Sequence, residues 1–359
     1  MTNSIDQDLY YSRQSILPSV GSEGKEKLAA ARVLVIGAGG LGCPVLQYLA
    51  TSGLSRITVC DDDVVELTNL HRQTLYTPED IGVHKADKAV SFIKKMVPWL
   101  EAIAITSRIN PDNIDSIAGE YDIILDCTDN FETKFMVHDW CYINKKDLIQ
   151  ASIYQYEGQV HTFKFSDAEQ YLTKPCLRCL WPETPSRNCV GSCAEVGVFG
   201  AVAGTLGTMQ ANEVIKLILG LPTLETGQSL IFDMLSMSMS KLSWPKDGTC
   251  PLCSKQNPTM INTLEKFDSF ELKLDNISTD DFLFIDVREE GEIPELTSIP
   301  FQQWPLSEFE LYMDKIEDDK NYLFFCQTGI RSRRIVTKLK QAGKTNCYSL
   351  VSGIYSFRK

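Results

Sequence analysis

One stretch near the start decides the fold: it reads Ala31-Arg-Val-Leu-Val-Ile-Gly37 and continues as Ala-Gly-Gly-Leu-Gly42. Its first half contains the short apolar run Val-Leu-Val-Ile at 33–36, as expected for a strand buried on both faces of a parallel sheet. Its second half fits the pattern G-x-G-x-x-G, and helical periodicity follows over residues 43–52. A strand, a glycine turn and a helix in this order predict a site where backbone N–H groups and a helix N-terminus face a phosphate.

Apolar strands and a helical segment continue the alternation, in the order strand 55–60, helix 85–96, strand 102–106 and strand 121–126. This alternation is typical of an α/β protein with a doubly wound, mostly parallel, Rossmann-like sheet. Residues 197–220 carry small side chains along a helical pattern, which predicts a helix packed closely against the sheet. Residues 165–173 have no clear period and are predicted to form a crossing loop.

Length, charge and cysteine content limit the possible functions. The chain has 359 residues, which suggests about two domains. Its net charge of -12 argues against general binding to nucleic acid or to an anionic membrane surface. No apolar run approaches the length of a membrane span, and the first ten residues are polar and acidic, so a cytoplasmic protein is expected. Twelve cysteines in such a chain indicate metal or thiol chemistry.

Polar residues after the glycine turn predict a bound nucleotide. Asp61 follows Gly42 by 19 residues, a spacing from which a carboxylate accepts hydrogen bonds from ribose. A nicotinamide-dinucleotide oxidoreductase would show the same two features. Nearby cations favour a triphosphate instead, because Arg supplies a planar fork of donors and Lys a point charge. The candidate nucleotide-binding residues are Gly37, Gly39, Gly40, Gly42, Asp61, Asp63, Asn69, Arg72, Gln73, Lys85 and Asp129, the last as a magnesium ligand.

Four cysteines form two knuckles, Cys176-x-x-Cys179 and Cys250-x-x-Cys253, about 70 residues apart. This is the spacing of a four-thiolate structural zinc site. Such a closed site has no open coordination position for a substrate, so we expect the zinc to tie two distant parts of the chain together.

Two other cysteines stand where a thiolate would be stabilised. Cys193 lies just before the small-residue helix, whose N-terminal potential would lower its pKa. Cys326 opens the segment Cys-Gln-Thr-Gly-Ile-Arg331, between an apolar strand predicted at 322–325 and a helix predicted at 331–341. Such a turn directs successive N–H groups at the sulfur, which favours a thiolate or a persulfide.

Several separated motifs together resemble one protein family. They are Arg13 in Tyr-Ser-Arg-Gln, the glycine turn, Asn-Leu-His-Arg-Gln, Asp-Cys-Thr-Asp-Asn and Cys-Leu-Arg-Cys-Leu-Trp-Pro. In this order, over about residues 10–253, they are similar to the sulfur-carrier adenylyltransferases of molybdopterin and thiamine synthesis, which are relatives of ubiquitin-activating enzymes. The resemblance implies ATP-dependent adenylation of a small ubiquitin-like carrier protein ending in Gly-Gly, by attack of its C-terminal carboxylate on the α-phosphate.

The resemblance also implies roles for individual residues. Asp61 would bind ribose, and Asp129 would position magnesium. Asn69, Arg72 and Lys85 would bind the ATP phosphates. Arg13 would reach the ATP site of a partner subunit, which implies a homodimer. Cys193 matches a cysteine that in some family members forms a covalent link to the carrier.

The C-terminal part resembles another family. The loop from Cys326 to Arg331, Phe-Ile-Asp-Val-Arg-Glu at 284–289 and Leu-Val-Ser-Gly-Ile at 350–354 are similar to rhodanese sulfurtransferases. Six residues from cysteine to arginine suit sulfur, whereas the related phosphatase loop has seven. Residues 292–304 lack the usual histidine of that family. The predicted organisation is an adenylyltransferase domain at 1–253, a linker at 254–266 and a small α/β rhodanese-like domain at 267–359.

Together these features predict a two-step enzyme. The first domain would adenylate the carrier, and a Cys326 persulfide, with Arg331 beside it and loaded by a donor such as a cysteine desulfurase, would supply sulfur for a thiocarboxylate. Three alternatives remain open: an activating enzyme for protein conjugation through a Cys193 thioester, a nicotinamide-dinucleotide oxidoreductase, and a module that binds a ubiquitin-like partner without chemistry.

Overall fold

A computed structural model describes residues 5–185, 197–261, 269–292, 295–296 and 298–357. The chain divides into two compact units, and among the described residues the first comprises 5–185 and 197–261 and the second comprises 269–357 with its gaps. Each unit has its own sheet and its own hydrophobic cores.

The first unit is built on an eight-stranded sheet in the order β3-β2-β1-β4-β5-β6-β7-β8. The strands are β1 (Val33–Ile36), β2 (Arg56–Cys60), β3 (Glu101–Ile105), β4 (Ile123–Asp126), β5 (Asp147–Tyr154), β6 (Glu157–Phe163), β7 (Gln228–Asp233) and β8 (Ser238–Ser243). The five strands from β3 to β5 pair in parallel, whereas β6, β7 and β8 are added antiparallel. The expected doubly wound sheet therefore has an antiparallel extension along one edge.

Helices cover both faces of this sheet. They are α1 (Gln7–Tyr10), α2 (Ser12–Ser15), α3 (Gly21–Ala30), α4 (Gly42–Ala50), α5 (Lys85–Met96), α6 (Ile114–Ala118), α7 (Phe131–Asn144), α8 (Ala168–Thr173), α9 (Leu177–Leu180) and α10 (Gly200–Leu219). Helix α8 lies within the segment predicted as a crossing loop, so that prediction was wrong. Among the described helices, none has both the length and the apolar character that a membrane span requires.

Alternating side chains of the central strands enter two separate cores. In β1, Val33 and Val35 contribute to the core shared with α4, α5 and α10. Leu34 and Ile36 point to the other face, into the core that holds α6, α7 and the four knuckle cysteines. Because both faces are covered, the strand is apolar at every position, as the sequence indicated.

The second unit is a five-stranded sheet in the order β11-β10-β12-β13-β9, with every pair parallel. Its strands are β9 (Glu271–Leu272), β10 (Leu283–Asp286), β11 (Gln302–Gln303), β12 (Tyr322–Phe325) and β13 (Cys347–Leu350), with helix α11 (Ile330–Gln341) after β12. Met260 and Ile261, inside the predicted linker 254–266, pack against a core of the first unit. That linker is therefore not free along its whole length.

Candidate functional site

The glycine turn between β1 and α4 needs two of its glycines for packing. Gly37 has φ 95°, and a Cβ there would lie 2.9 Å from the carbonyl of Cys127. A Cβ at Gly42 would overlap the carbonyl oxygen of Gly37. A side chain at either position would therefore open the turn and move its N–H groups away from a phosphate.

Asp61, the predicted ribose ligand, also holds the glycine turn in place. Its Oδ2 accepts the N–H of Ala38 at 2.7 Å, and its Oδ1 accepts the N–H of Asp63 at 2.9 Å. Burial raises the pKa of Asp61, while Lys85 acts in the opposite direction. The carboxylate thus connects the end of β2 to the turn after β1, at the carboxyl edge of the sheet where α/β proteins bind ligands.

The predicted phosphate-binding cation Lys85 is buried and paired. Only 5% of the residue is exposed, and its Nζ lies 2.8 Å from Oδ2 of Asp63, whose side chain is 68% exposed. Because that carboxylate is exposed, a phosphate group that enters could replace it as the partner of this buried cation. Asp63 and Lys85 therefore form an ion pair, and the role of either residue toward a nucleotide stays a prediction.

Arg72 and Gln73 lie beside the glycine turn. A Cβ added at Gly40 would lie 3.7 Å from Cγ of Arg72, and one at Gly39 would lie 3.5 Å from Nε2 of Gln73. Nη1 of Arg72 donates to the carbonyl of Thr68 at 2.9 Å. Oε1 of Gln73 is buried, and within the described part of the chain it has no hydrogen-bond partner.

The other three predicted nucleotide residues are placed differently from one another. Asn69 is buried, and its Oδ1 accepts the N–H of Glu66 at 3.2 Å. This bond caps the N-terminal end of the short 3-10 helix Leu67–Asn69. Asp129 and Arg13 are both exposed, Asp129 in the turn between β4 and α7 and Arg13 on α2. Their roles toward magnesium and toward a partner subunit stay predictions.

A buried polar network that sequence reasoning missed supports the turn carrying Asp129. The Asp126 carboxylate, fully buried at the end of β4, accepts Nζ of Lys134 at 3.2 Å and Nε2 of Gln150 at 2.7 Å. It also accepts the N–H and hydroxyl of Thr128 at 2.9 and 2.6 Å. Because Asp126 has these partners, Asp129 is the carboxylate of this motif that faces solvent.

The four knuckle cysteines converge, with all four sulfur atoms within 4.8 Å of one another. The Sγ atoms of Cys176 and Cys250 are 3.6 Å apart, and those of Cys179 and Cys253 are 3.3 Å apart. Tetrahedral zinc with Zn–S bonds of about 2.3 Å would separate its sulfurs by ~3.8 Å, so these thiols fit the ion.

Arg178, between Cys176 and Cys179 in the sequence, anchors the knuckle to α7. It is fully buried, and its Nε and Nη2 donate to the Asp139 carboxylate at 3.1 and 2.7 Å. Trp244 adds a bond from Nε1 to the carbonyl of Cys176 at 3.1 Å. The signal in the sequence was only the knuckle itself, because the partner Asp139 is 39 residues away.

Cys326 lies at the carboxyl end of β12, fully buried, where the loop begins. Its Sγ accepts the N–H of Gly329 at 3.1 Å, and the hydroxyl of Ser332 lies 3.8 Å away. Gly329 has φ 93° and precedes the first residue of α11. The structure thus places one N–H of the loop, that of Gly329, at the sulfur; that the turn directs successive N–H groups at a thiolate or persulfide stays a prediction. Cys193 lies outside the described residues.

Two parts of this chain match known protein families. Residues 11–252 match the ThiF family, and residues 269–359 match the rhodanese-like domain. The chain belongs to the ThiF family. A C-terminal rhodanese-like domain follows in the same chain, as its motifs predicted.

Three relatives of this ThiF-family protein have names that state an activity. It is 42% identical over 246 residues to the sulfur carrier protein adenylyltransferase of Thermus thermophilus, covering 68% of this chain and 90% of the relative. It is 35% identical to the SAMP-activating enzyme E1 of Haloferax volcanii, covering 77% and 100%. It is 32% identical to "Adenylyltransferase and sulfurtransferase MOCS3" of Drosophila sechellia, covering 97% and 82%. Its named relatives are thus adenylyltransferase and sulfurtransferase enzymes.

Solved structures share the fold of the ThiF-family unit. E. coli MccB with ATP matches with a TM-score of 0.59 at 22% identity, over 68% of this chain and 75% of that one. MccB without a named ligand matches with the same TM-score of 0.59, over 74% and 76%. At this identity the likeness supports the α/β fold.

Proposed function

We propose that this protein adenylates the C-terminal carboxylate of a small ubiquitin-like sulfur carrier and converts it into a thiocarboxylate with sulfur carried on Cys326. The main observation behind this proposal is that both sites lie in one chain. A relative that is named for both activities aligns with 97% of this chain. The glycine turn with the buried Lys85 would serve the first step. Cys326, whose sulfur accepts an N–H of its own loop, would serve the second. A nicotinamide-dinucleotide oxidoreductase accounts for neither the cations nor the second site.

The first step is positioning and charge stabilisation. Lys85 and Arg72 would bind the ATP phosphates together with Asn69, Gln73 and the N–H groups of the glycine turn, and Asp61 would bind the ribose. Asp129 would hold Mg²⁺, which neutralises phosphate charge when bound. The carrier carboxylate attacks the α-phosphorus, an O–P bond forms and pyrophosphate leaves.

The second step uses the Cys326 loop. The terminal sulfur of a Cys326 persulfide attacks the carbonyl carbon of the acyl-adenylate, a C–S bond forms and AMP leaves. The product is an acyl disulfide on Cys326. A second thiol then attacks Sγ of Cys326, forms a disulfide with it, and releases the carrier thiocarboxylate with the electron pair of the broken S–S bond.

Other parts of the assembly belong to the same proposal. The four knuckle cysteines would hold a structural zinc ion. The protein would act as a homodimer in which the exposed Arg13 of one subunit reaches the ATP site of the other. A cysteine desulfurase would load Cys326, and the thiocarboxylate would serve thiamine or molybdopterin synthesis.

Substitution of Cys326 separates the two steps. In Cys326→Ser, thiocarboxylate formation, followed by mass spectrometry of the carrier, should be abolished, whereas carrier-dependent ATP–pyrophosphate exchange should stay at the wild-type rate. Cys347→Ala, which removes the other described cysteine of the same unit, should retain both activities. Loss of exchange in Cys326→Ser with a folded first unit would refute this division of labour.

A second candidate function is activation for protein conjugation, which the similarity to the SAMP-activating enzyme E1 over 77% of the chain favours. Here the adenylated carrier would pass to Cys193 as a thioester. Non-reducing electrophoresis with ATP and carrier would then show a covalent adduct that Cys193→Ala removes and Cys326→Ser retains. If Cys193→Ala forms thiocarboxylate at the wild-type rate and lacks only this adduct, then the wild-type chain carries out both functions.

A further inference from the structure

Arg331, which ends the Cys326 loop, is held by a carboxylate. Its Nη1 and Nη2 lie 2.6 and 2.7 Å from Oε1 and Oε2 of Glu292, in a two-point pairing of guanidinium with carboxylate. The side chains are 23% and 30% exposed, so the pair lies at the surface of the second unit and is accessible to small molecules. Two parallel charge-assisted bonds fix both groups more firmly than a single contact would.

Glu292 is itself fixed by the turn in which it lies. Its Oε1 also accepts the N–H of Glu289 at 2.8 Å. The Glu289 carboxylate in turn accepts the N–H and hydroxyl of Ser307 at 3.0 and 2.7 Å, which ties the turn to the 3-10 helix Leu306–Lys315. The guanidinium of Arg331 holds the pKa of Glu292 below its usual value. The carboxylate is therefore ionised and in place before any substrate arrives.

A second guanidinium near the loop is paired in the same way. Arg288 is buried, and its Nε and Nη2 donate to the Asp286 carboxylate at 3.0 and 2.7 Å. Its Nη1 reaches Oε1 of Gln327, the residue after Cys326, at 3.4 Å. Both of these arginines already have an anionic partner within the protein.

We propose that Glu292 determines the sulfur-donor specificity of the Cys326 loop: by occupying Arg331 it disfavours small oxyanion donors such as thiosulfate and leaves the loop to a persulfide on a protein cysteine. This inference rests on the proposed function, since it concerns the loading of Cys326. A dianionic donor has to displace Glu292 from Arg331 and then meet its negative charge at close range, and such like-charge contact is an effective means of rejecting a competitor.

The two donors load Cys326 by balanced reactions that differ in the leaving group. With a protein persulfide, the Cys326 thiolate attacks the terminal sulfur, the new S–S bond forms as the donor S–S bond breaks, and the donor cysteine leaves as a thiolate. With thiosulfate, the same attack on the outer sulfur expels sulfite, a dianion. Only the thiosulfate reaction needs a cation that has no anionic partner, because the oxygens of the leaving sulfite carry negative charge.

Substitution of Glu292 tests the assignment in the full-length protein. Thiosulfate:cyanide sulfurtransferase activity should rise at least about tenfold in Glu292→Gln, because Arg331 loses its anionic partner Glu292 and a negative charge is removed beside it. Glu290→Gln, which removes the same charge from an exposed residue of the same turn, should stay at the wild-type rate. Loading by a cysteine desulfurase supplied with L-cysteine, measured as a mass gain of one sulfur on Cys326, should be similar in all three proteins.

The possible outcomes are distinguishable. If Glu292→Gln still loads from the desulfurase but gains no thiosulfate activity, the assignment of Glu292 is wrong while the sulfur relay stands. An equal gain in Glu290→Gln would also overturn it, because the effect would then be one of net charge. If wild-type Cys326 loads from neither donor, the relay itself is refuted and the specificity role with it.

Discussion

His161 on β6 is a buried, uncharged histidine among aromatic rings. It is 4% exposed, and its ring centroid lies 5.9 Å from that of Phe163 and 5.7 Å from that of Trp244. Within the described residues, its Nδ1 has no hydrogen-bond partner. Burial lowers the pKa of His161 to about 4, and the charge of Lys134 acts in the same direction. Protonation of this ring in the folded state is therefore unfavourable.

This histidine should make the first unit sensitive to acid. In the unfolded chain its pKa is about 6.5, so between pH 6.5 and 4 the unfolded state binds the extra proton and the free energy of unfolding falls as pH falls. The loss from this residue is at most about 3 kcal/mol. Urea unfolding from pH 7 to 4.5 should show a shallower decline for His161→Phe than for wild type. The exposed His71→Phe should follow wild type, and parallel curves for all three would contradict the assignment.

At the residue scale, the groups predicted to bind a nucleotide were easier to foresee than the buried groups that support them. The glycine turn follows β1 directly and Asp61 follows β2 directly, so local pattern predicts both, whereas Lys85, at the start of α5, was predicted from its charge and from the family resemblance. Asp126 and its partner Gln150 are 24 residues apart and meet only because β4 and β5 are neighbours in the sheet. No local pattern indicates such a pairing, and the same holds for Glu292 and Arg331.

Helix α10 packs against the start of α4 through one glycine. A Cβ at Gly207 would overlap the carbonyl oxygen of Leu41 and lie 2.5 Å from Cγ of Pro44. Gly204, one turn earlier on the same helix, has open space at the corresponding position. The close approach of α10 therefore sets the position of α4, whose N-terminus follows the glycine turn.

Alanine at these two glycines should have opposite effects. Gly204→Ala should stabilise the first unit by about 0.5–1 kcal/mol, because alanine favours the helix. Gly207→Ala should destabilise it by about 1–3 kcal/mol and weaken ATP binding, because the two helices must separate. Thermal unfolding and ATP titration measure both effects. A Gly207→Ala protein that binds ATP as tightly as Gly204→Ala would show that this packing does not position the turn.

The two cysteine knuckles should depend on metal. Elemental analysis should find one zinc ion per chain. The Cys250→Ser variant should lose this ion and should unfold at a lower temperature in the first unit, because metal binding contributes directly to folding. Cys141→Ser replaces a buried cysteine of α7 outside the knuckles and should retain the ion. Wild-type protein free of zinc and equally stable with chelator would refute a structural metal site.

At the element scale, the parallel half of the first sheet was predictable and the antiparallel half was not. Strands β1 and β4 are buried at every position and, apart from Asp126 at the end of β4, consist of apolar residues. Strand β8, with the sequence Ser-Met-Ser-Lys-Leu-Ser, is exposed along its whole length. Its pairing with β7 is held by backbone hydrogen bonds, which any sequence can form, so composition gave no signal.

For the whole molecule, the proposed function requires that a persulfide on the second unit meets an acyl-adenylate made by the first. Residues 254–261 continue from the second knuckle, and Met260 and Ile261 pack on the first unit. Only a short stretch of chain therefore separates residue 261 from Phe270, which packs in the core of the second unit. A flexible connection of this length would give an effective concentration of one site at the other on the order of 10⁻³ M.

Covalent connection, rather than its particular length, should sustain the second step. Doubling the length of a flexible connection costs only about 0.6 kcal/mol, so a Gly/Ser insert with a protease site placed between residues 261 and 269 should lower the thiocarboxylate rate about two- to threefold. Cleavage of the folded protein at that site should then make the rate fall with dilution, while ATP–pyrophosphate exchange is unchanged. The same protein before cleavage is the control. A rate that survives both cleavage and dilution to nanomolar concentration would mean that the units bind each other and that the connection is dispensable.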